Sequence, residues 1–191
     1  MAGLRALLSK LSARSGRSRG AFGSVALDCV NCVNLLVLAA LIASPAVARD
    51  SLGMFSAWGA FRDPGVPRCY AIAMAEPSTK ERDYQPYAAV GTWPRRGVRG
   101  QVHFRLSRKL APNARITLSI GRDRYQLTGG GGDAWAVDRR MDAAIVAAMR
   151  SAQRMTVSAR DAAGRNFANS WALEGAATAM DAASIGCVQS R

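Results

Sequence analysis

The stretch RITLSIGRDRYQLT, residues 115–128, decides the fold class. Apolar side chains at Ile116, Leu118 and Ile120 alternate with polar ones, which is the period of a strand with one buried face. A three-residue connection beginning at Gly121 has hairpin length and leads into a second short run, RYQLT. The segment therefore predicts two antiparallel strands.

The chain upstream of this hairpin carries similar strand signals. QVHFRLS, residues 101–107, alternates Val102, Phe104 and Leu106 with polar neighbours. Three further strands are predicted nearer the N-terminus: SAWGAF (56–61), CYAIAM (69–74) and YAAVGTWP (87–94). The last is predicted to be an edge strand, because Pro94 cannot donate to a ladder. Residues 76–85 are polar and predict a loop.

Downstream, GGGG (129–132) predicts a hairpin loop leading into AWAVD (134–138). It lacks the GK[ST] ending or the helix start that a phosphate-binding glycine motif requires. Asp138 is a candidate N-cap for a helix over 139–152, in which Met141, Ile145, Ala148 and Met149 share one face. Strands over 154–161 and 166–173 and a short helix over 176–183 complete the pattern. Many short strands with frequent turns predict a mainly β, antiparallel sandwich with one inserted helix and a short C-terminal helix.

The N-terminus has the features of an export signal. Basic residues precede the compact apolar run Leu35–Ala43, and Ala46-Val47-Ala48 follows as a small-x-small cleavage pattern. We expect cleavage between Ala48 and Arg49, which divides the chain into a signal peptide (1–48), a lead-in segment (49–55) and one sandwich domain (56–191). Such a protein would be periplasmic, at the outer envelope or secreted, with no permanent membrane span. An uncleaved N-terminal anchor is the alternative.

Removal of the signal decides how the cysteines are interpreted. The Cys29/Cys32 pair would be lost with the leader, leaving Cys69 and Cys187. In an oxidising compartment such a pair predicts one disulfide, which ties the C-terminal tail to an early strand. A Cys–His catalytic arrangement using His103, the only histidine, is the alternative.

The charge of the chain excludes little by itself. Residues 49–191 carry 21 of the 26 Lys and Arg residues and 12 of the 13 Asp and Glu residues, a net charge of +9. The arginines are scattered, with no basic helix and no aromatic-interleaved nucleic-acid motif. We therefore expect a generally basic surface and no nucleic-acid partner; an anionic surface or partner stays open.

No residue set in the sequence indicates catalysis, a metal or a cofactor. His103 falls on the polar face of its strand and is expected to be exposed. Nothing pairs Asp123, Asp133 or Asp138, and no nucleophile stands beside a recognisable base. The four tryptophans are expected in the core or packed on the sheet rather than on a ligand platform.

An ordered set of segments resembles the invasion-associated locus B family of exported alphaproteobacterial proteins. The matching pieces span 56–188: Trp58 before Cys69-Tyr70, ITLSIGRDRYQL, Ala134-Trp135 with Asp138, AAIVAAMRSAQRMTV, and an ending with Leu173, Gly175 and Cys187. The resemblance implies an immunoglobulin-like β-sandwich in the periplasm or outer envelope, with a structural disulfide and no catalytic residues. Trp58, Trp135 and Leu173 are expected as packing residues. Phe61 and Arg62 stand where the family often has an additional cysteine.

The functional expectation follows from export, the disulfide and the absence of recognisable chemistry. We expect a non-catalytic envelope protein that binds another envelope component or contributes to host-cell interaction. One alternative is an envelope hydrolase, or an inhibitor of one, with a cleft near GGGGDAW (129–135). Another is a basic module that binds an anionic envelope surface.

Overall fold

The structure, a computed structural model, describes residues 49–188. The predicted signal peptide, 1–48, with Ala48, Cys29 and Cys32, lies outside the described residues. The elements within 49–188 are β1 Asp50–Phe55, β2 Trp58–Asp63, β3 Arg68–Met74, β4 Tyr87–Trp93, β5 Val98–Arg105, β6 Ile116–Ile120, β7 Asp123–Gly130, β8 Asp133–Trp135, α1 Arg139–Met149, β9 Arg154–Arg160, β10 Asn166–Ala172 and α2 Ala176–Val188.

The strands form one antiparallel sheet in the order β1-β2-β3-β4-β5-β8-β7-β6-β9-β10. Strand β7 belongs to two parts of it: Leu127 pairs with Ile116 of β6, whereas Thr128 pairs with Trp135 of β8. We call β1–β5 with β8 the first half-sheet, and β6, β7, β9 and β10 the second half-sheet. Gly129 and Gly130 end β7, where a strand that changes sheets must bend.

The inner faces of the two half-sheets meet in the core. The rings of Phe104 in β5 and Trp171 in β10 lie 5.4 Å apart, although four strands separate them in the sheet. The indole N–H of Trp58 in β2 donates to the carbonyl of Ala172 at 2.9 Å. The sheet is thus folded into a sandwich-like arrangement, and the prediction of a mainly antiparallel β fold with an inserted and a C-terminal helix is confirmed.

Helix α2 packs on β1, β2 and β3, where the sheet offers small side chains. Ala60 and Ala71 form a cross-strand pair and are fully buried, as are Ala176 and Ala179 of the helix. Small residues on both surfaces let helix and sheet approach closely. The helix runs to Val188, beyond the predicted end at residue 183, and so contains the second cysteine.

The two described cysteines are neighbours, as predicted. The sulfur atoms of Cys69 in β3 and Cys187 in α2 lie at bonding distance, 2.11 Å, and the Cα atoms are 5.6 Å apart. The bond spans 118 residues. It joins the last turn of α2 to the first half-sheet.

Helix α1 packs on β5 and begins at the predicted cap. The Asp138 carboxylate accepts a hydrogen bond from the N–H of Met141 at 2.8 Å, and Ile145 and Met149 are buried. Asp142, one turn into the helix, is also buried and accepts from the N–H of Val102 in β5 at 2.8 Å. Burial raises the pKa of Asp142 above its ordinary value.

Two expectations about strands need correction. The lead-in segment 49–55 contains β1, which pairs with β2 through an irregularity between Ser51 and Gly53. Strand β4 was expected at an edge but lies between β3 and β5. The reason is that Pro94 begins a short 3-10 turn after the strand, where its missing N–H removes no ladder bond.

Candidate functional site

The outer face of the first half-sheet is rich in aromatic rings. Strand alternation directs Ala71, Val90 and Phe104 to the core and their neighbours outward. The outward rings, which we call the aromatic face, are those of Phe61, Tyr70, Tyr87, Trp93, His103 and Trp135. Among residues 49–188, neither helix packs against this face, since both contact the sheet from its inner side.

Glycines allow two of these rings to lie on the strand backbone. A Cβ atom on Gly91 would come within 2.7 Å of the Trp93 ring, and one on Gly59 within 2.6 Å of the Phe61 ring. Any side chain at either glycine would push the ring away from the sheet. The sequence pattern Gly-x-aromatic thus produces a flat platform rather than protruding rings.

A groove of about 470 Å³ runs over the aromatic face between Trp93 and Trp135. Its polar lining comes from Arg49, Arg68, Gln101 and His103, and no acidic residue lines it in the described part of the chain. The Arg68 guanidinium lies 4.9 Å from the centre of the Tyr70 ring. Its Nε is buried without a hydrogen-bond partner among residues 49–188. Its Nη2 lies 3.4 Å from the Asp63 carboxylate, so the charge of Arg68 is partly paired. The groove therefore combines ring surfaces with incompletely paired positive charge.

One end of the groove is fixed by a polar cluster around Asp133. Its carboxylate contacts His103 Nε2 at 3.0 Å and, through the other oxygen, Arg105 Nη1. The hydrogen bond to Asp133 raises the pKa of Arg105 above its ordinary value. The Arg105 guanidinium in turn lies 4.1 Å from the Tyr84 ring centre. Both carboxylate oxygens are engaged, so the cluster is suited to holding side chains in place.

The His103 ring is held between aromatic neighbours as well. It stacks on Trp135, with centroids 5.2 Å apart and planes 24° from parallel, and meets the edge of Tyr87 at 5.5 Å. The expected exposure of His103 is only partly right: its side chain is 23% exposed because Trp135 and Asp133 cover it. No hydrogen bond from a hydroxyl or thiol group reaches His103 within 49–188.

The tryptophans divide between core and surface. Trp58 and Trp171 are fully buried, and Leu173 is also buried. Trp135 is 37% exposed and packs on His103 at the surface. Trp93 lies on the same outer face, so two of the four tryptophans lie in the core and two lie on the outer surface of the sheet.

The glycine run has a structural part in this site. Carbonyl groups of Gly131 and Gly132 accept from the N–H groups of Leu110 and Leu106. A Cβ atom on Gly132 would come within 2.5 Å of the Tyr84 ring, so this glycine lets Tyr84 approach the Asp133 cluster. These carbonyl groups are acceptors, whereas a phosphate cradle needs N–H donors.

The alternation in residues 101–107 predicts that His103 and Arg105 share one strand face, but it does not bring Asp133 to them. The β5–β8 register does so, since Arg105 pairs with Asp133 and His103 with Trp135. Tyr70, Tyr87 and Trp93 were missed as site residues. The usable signal was the alternation of aromatic and glycine residues at outward positions of β2 and β4.

Neither helix within 49–188 is long and apolar enough to cross a bilayer. No three His, Cys, Asp or Glu side chains converge there as a metal-binding group.

Comparisons with protein-family models, with curated proteins and with solved structures returned no match to this chain.

Proposed function

We propose that the chain, after cleavage between Ala48 and Arg49, is a non-catalytic binding protein of the periplasm or outer envelope, of the invasion-associated locus B type. The observation that supports binding is the aromatic face: a row of partly exposed rings, from Tyr70 at 8% to Trp135 at 37%, on a sheet face that neither described helix covers. Contiguous exposed apolar surface of this kind marks interaction sites in soluble proteins.

The chemistry of the groove favours an anionic saccharide chain of the envelope as the ligand. Aromatic faces carry partial negative charge and attract the C–H groups of a sugar ring, and the flat Trp93 ring offers such a face. Arg49 and Arg68 supply positive charge at one end, with no carboxylate among the residues that line the groove. Gln101 adds an amide that both donates and accepts hydrogen bonds. Stacking, amide and cation together match a sugar that bears a carboxylate or phosphate.

This ligand also unites two of the functions expected from the sequence. An anionic saccharide is part of an anionic envelope surface, and binding to it would weaken as salt screens the arginines. Contact with a host cell, which the resemblance implies, would use the same face.

An envelope hydrolase, or an inhibitor of one, is the second candidate, because His103 and Asp133 are paired beside the groove at 3.0 Å. The engagement of both Asp133 oxygens favours a positioning role over proton transfer. Asp133→Ala separates the two: a hydrolase loses turnover of envelope polysaccharide while the fold is kept, whereas the binding protein shows no turnover before or after the change.

The binding proposal is tested with polygalacturonate as the anionic probe and dextran as the neutral one. Trp93→Ala should weaken polygalacturonate binding about tenfold through loss of ring contact. Thr117→Ala, on the outer face of the second half-sheet, is the matched control and should leave it unchanged. Equal retention of both polysaccharides, or equal effects of the two variants, would refute the proposal.

A further inference from the structure

The last strand of the sheet, β10, has one edge that faces away from β9. At its two ends the ladder bonds to β9 are the N–H of Asp161 to the carbonyl of Arg165 and the N–H of Leu173 to the carbonyl of Gln153, both 2.9 Å. Backbone groups point alternately to the two sides of a strand. Counting from either end, Asn166, Ala168 and Ser170 direct their N–H and C=O groups away from β9.

The loop that follows β3 covers only part of this edge. The N–H of Glu76 donates to the carbonyl of Ser170 at 2.8 Å, so the chain after β3 begins a ladder with β10. Within residues 49–188, no backbone hydrogen bond joins the loop residues after Glu76 to β10. The loop then turns away to the end of β5, where the N–H of Asp83 donates to the carbonyl of Ser107 at 2.8 Å.

A groove of about 500 Å³ lies between this loop and β10. Within 49–188, no recorded backbone hydrogen bond joins the loop to Asn166 or Ala168, which line the groove. Ala75, Pro77, Pro86 and Phe167 give it apolar walls. From Ser170 to Arg165 the strand edge measures about 17 Å, room for roughly five extended residues.

The far end of the groove is held rigid by a charged cluster. Asp161 accepts from the backbone N–H of Arg165 at 2.9 Å and from its side chain at 3.0 Å, and Arg108 approaches it at 3.3 Å. Arg108 also donates to the carbonyl of Glu81 at 2.9 Å, which fixes the loop. Loop and strand are therefore held apart at a set width.

The charged side chains around the groove that form no ion pair are all positive. Three acidic residues line it, and each forms an ion pair with an arginine: Glu76, Glu81 and Asp161. Lys80 and Arg82 also line it and form no ion pair within the described residues. On the outer side of β10, an open depression of about 540 Å³ adds Arg115 and Arg160, and no acidic residue lines it in the described part of the chain. An extended chain in the groove would lie within reach of these four cations.

We propose that the β10 groove binds an extended, acidic peptide segment of a partner protein, which continues the ladder that Glu76 begins. The N–H and C=O groups of Ala168 and Asn166 would pair with the peptide backbone, as in other cases of strand addition to a sheet edge. Alternate side chains of the peptide would face the apolar walls and the cations. The unpaired cations around the groove favour an acidic peptide over the edge of a second copy of this protein, because residues 49–191 themselves carry a net charge of +9.

The test uses a fluorescent ten-residue peptide of alternating Glu and Val, with a Lys/Val peptide as the charge control. The Glu/Val peptide should bind the mature chain, and the Lys/Val peptide should bind at least tenfold more weakly. Ala168→Pro removes an N–H that points away from β9, a position where edge strands tolerate proline. It should weaken binding about tenfold, through one lost hydrogen bond and the ring's bulk. Ala168→Thr, which keeps the N–H, should not.

Two further measurements test the proposal without Ala168→Pro, in case that variant folds poorly. Lys80→Glu with Arg160→Glu should abolish binding of the acidic peptide while the melting temperature stays near that of the parent. Of two peptides N-methylated at either all Glu or all Val positions, only one should bind, because alternate N–H groups face β10. Binding that ignores Ala168→Pro, charge reversal and N-methylation would overturn the proposal, as would no binding at all or concentration-dependent dimerisation that blocks the peptide.

Discussion

The two half-sheets bury similar inner faces but present different outer faces. In the first half-sheet the outward positions hold the aromatic face, with rings such as Trp93 lying on glycine backbone. In the second half-sheet they hold hydroxyl groups and arginines, for example the cross-strand pair Thr117 and Ser158 beside Arg160. The inner alternation is required by folding in both. Rings that stay in contact with water add little to the stability of the fold, so folding alone does not explain the aromatic face. Binding of a ligand would explain it.

The largest expected effect is loss of the disulfide, which anchors only the first half-sheet. Reduction, or Cys187→Ala, should lower the free energy of unfolding by about 4–5 kcal/mol, because the bond closes a loop of more than a hundred residues. Urea denaturation measures the change. Hydrogen exchange should show faster opening of β1–β3, where α2 packs, than of β9 and β10. Unchanged stability with both thiols alkylated would contradict this account.

The packing of the two half-sheets against each other can be tested at two buried tryptophans. Trp58 donates to the carbonyl of Ala172 at 2.9 Å, whereas the Trp171 indole N–H has no partner among residues 49–188. Trp58→Phe and Trp171→Phe remove the same volume from fully buried positions. Trp58→Phe should cost about 1–2 kcal/mol more, because it also leaves the partly buried carbonyl of Ala172 unpaired. Equal losses in the free energy of unfolding, measured by urea denaturation, would show that this hydrogen bond does not help to hold the two half-sheets together.

Much of the fold could be predicted from the sequence, because period-2 alternation and turn residues are local signals. They located β5, β6, β9 and β10 and the Asp138 cap within a few residues. Strand order is not local, so Pro94 was taken as an edge marker when it lies beyond the end of an interior strand. Strand β1 was missed because DSLGMF has no clean alternation and is ordered by β2 and α2.

The candidate site was harder to predict than the fold. Asp133 reaches His103 and Arg105 only through the β5–β8 register, which joins segments about thirty residues apart. The aromatic face also depends on pairing, since Trp93 and Trp135 are 42 positions apart in the sequence. Residue type indicated rings and sheet, and only strand order shows which rings share a surface.

A carboxylate in the second half-sheet should support stability at neutral pH. Hydrogen bonds from the Arg165 N–H and side chain lower the pKa of Asp161 below its ordinary value. Its contribution is therefore present above the ordinary Asp pKa and lost as pH falls through the lowered value. Asp161→Asn should be less stable than the parent at neutral pH, and the two curves should converge in acid. A constant difference across pH would contradict the assignment.

A carboxylate beside the first half-sheet should lower stability at neutral pH, and its effect should be smaller than that of Asp161. Burial raises the pKa of Asp142, and the nearby charge of Asp138 raises it further. The hydrogen bond from Val102 lowers it, but the net shift is upward. Its charge therefore opposes folding, and stability from this group falls as pH rises through the raised pKa. Asp142→Asn keeps an acceptor for Val102 and should stabilise the protein at neutral pH but not in acid. Destabilisation at neutral pH would show that the charge itself is needed.

The most direct test of the aromatic face uses the four indole N–H signals in the NMR spectrum of ¹⁵N-labelled residues 49–191. Titration with oligogalacturonate should shift the signals of Trp93 and Trp135, which lie at the groove, and leave those of buried Trp58 and Trp171 in place. Backbone signals of Thr117 and Ser158, on the other outer face, should also stay. Shifts confined to the second half-sheet, or no shift at saturating probe, would contradict the claim that the aromatic face is the binding surface.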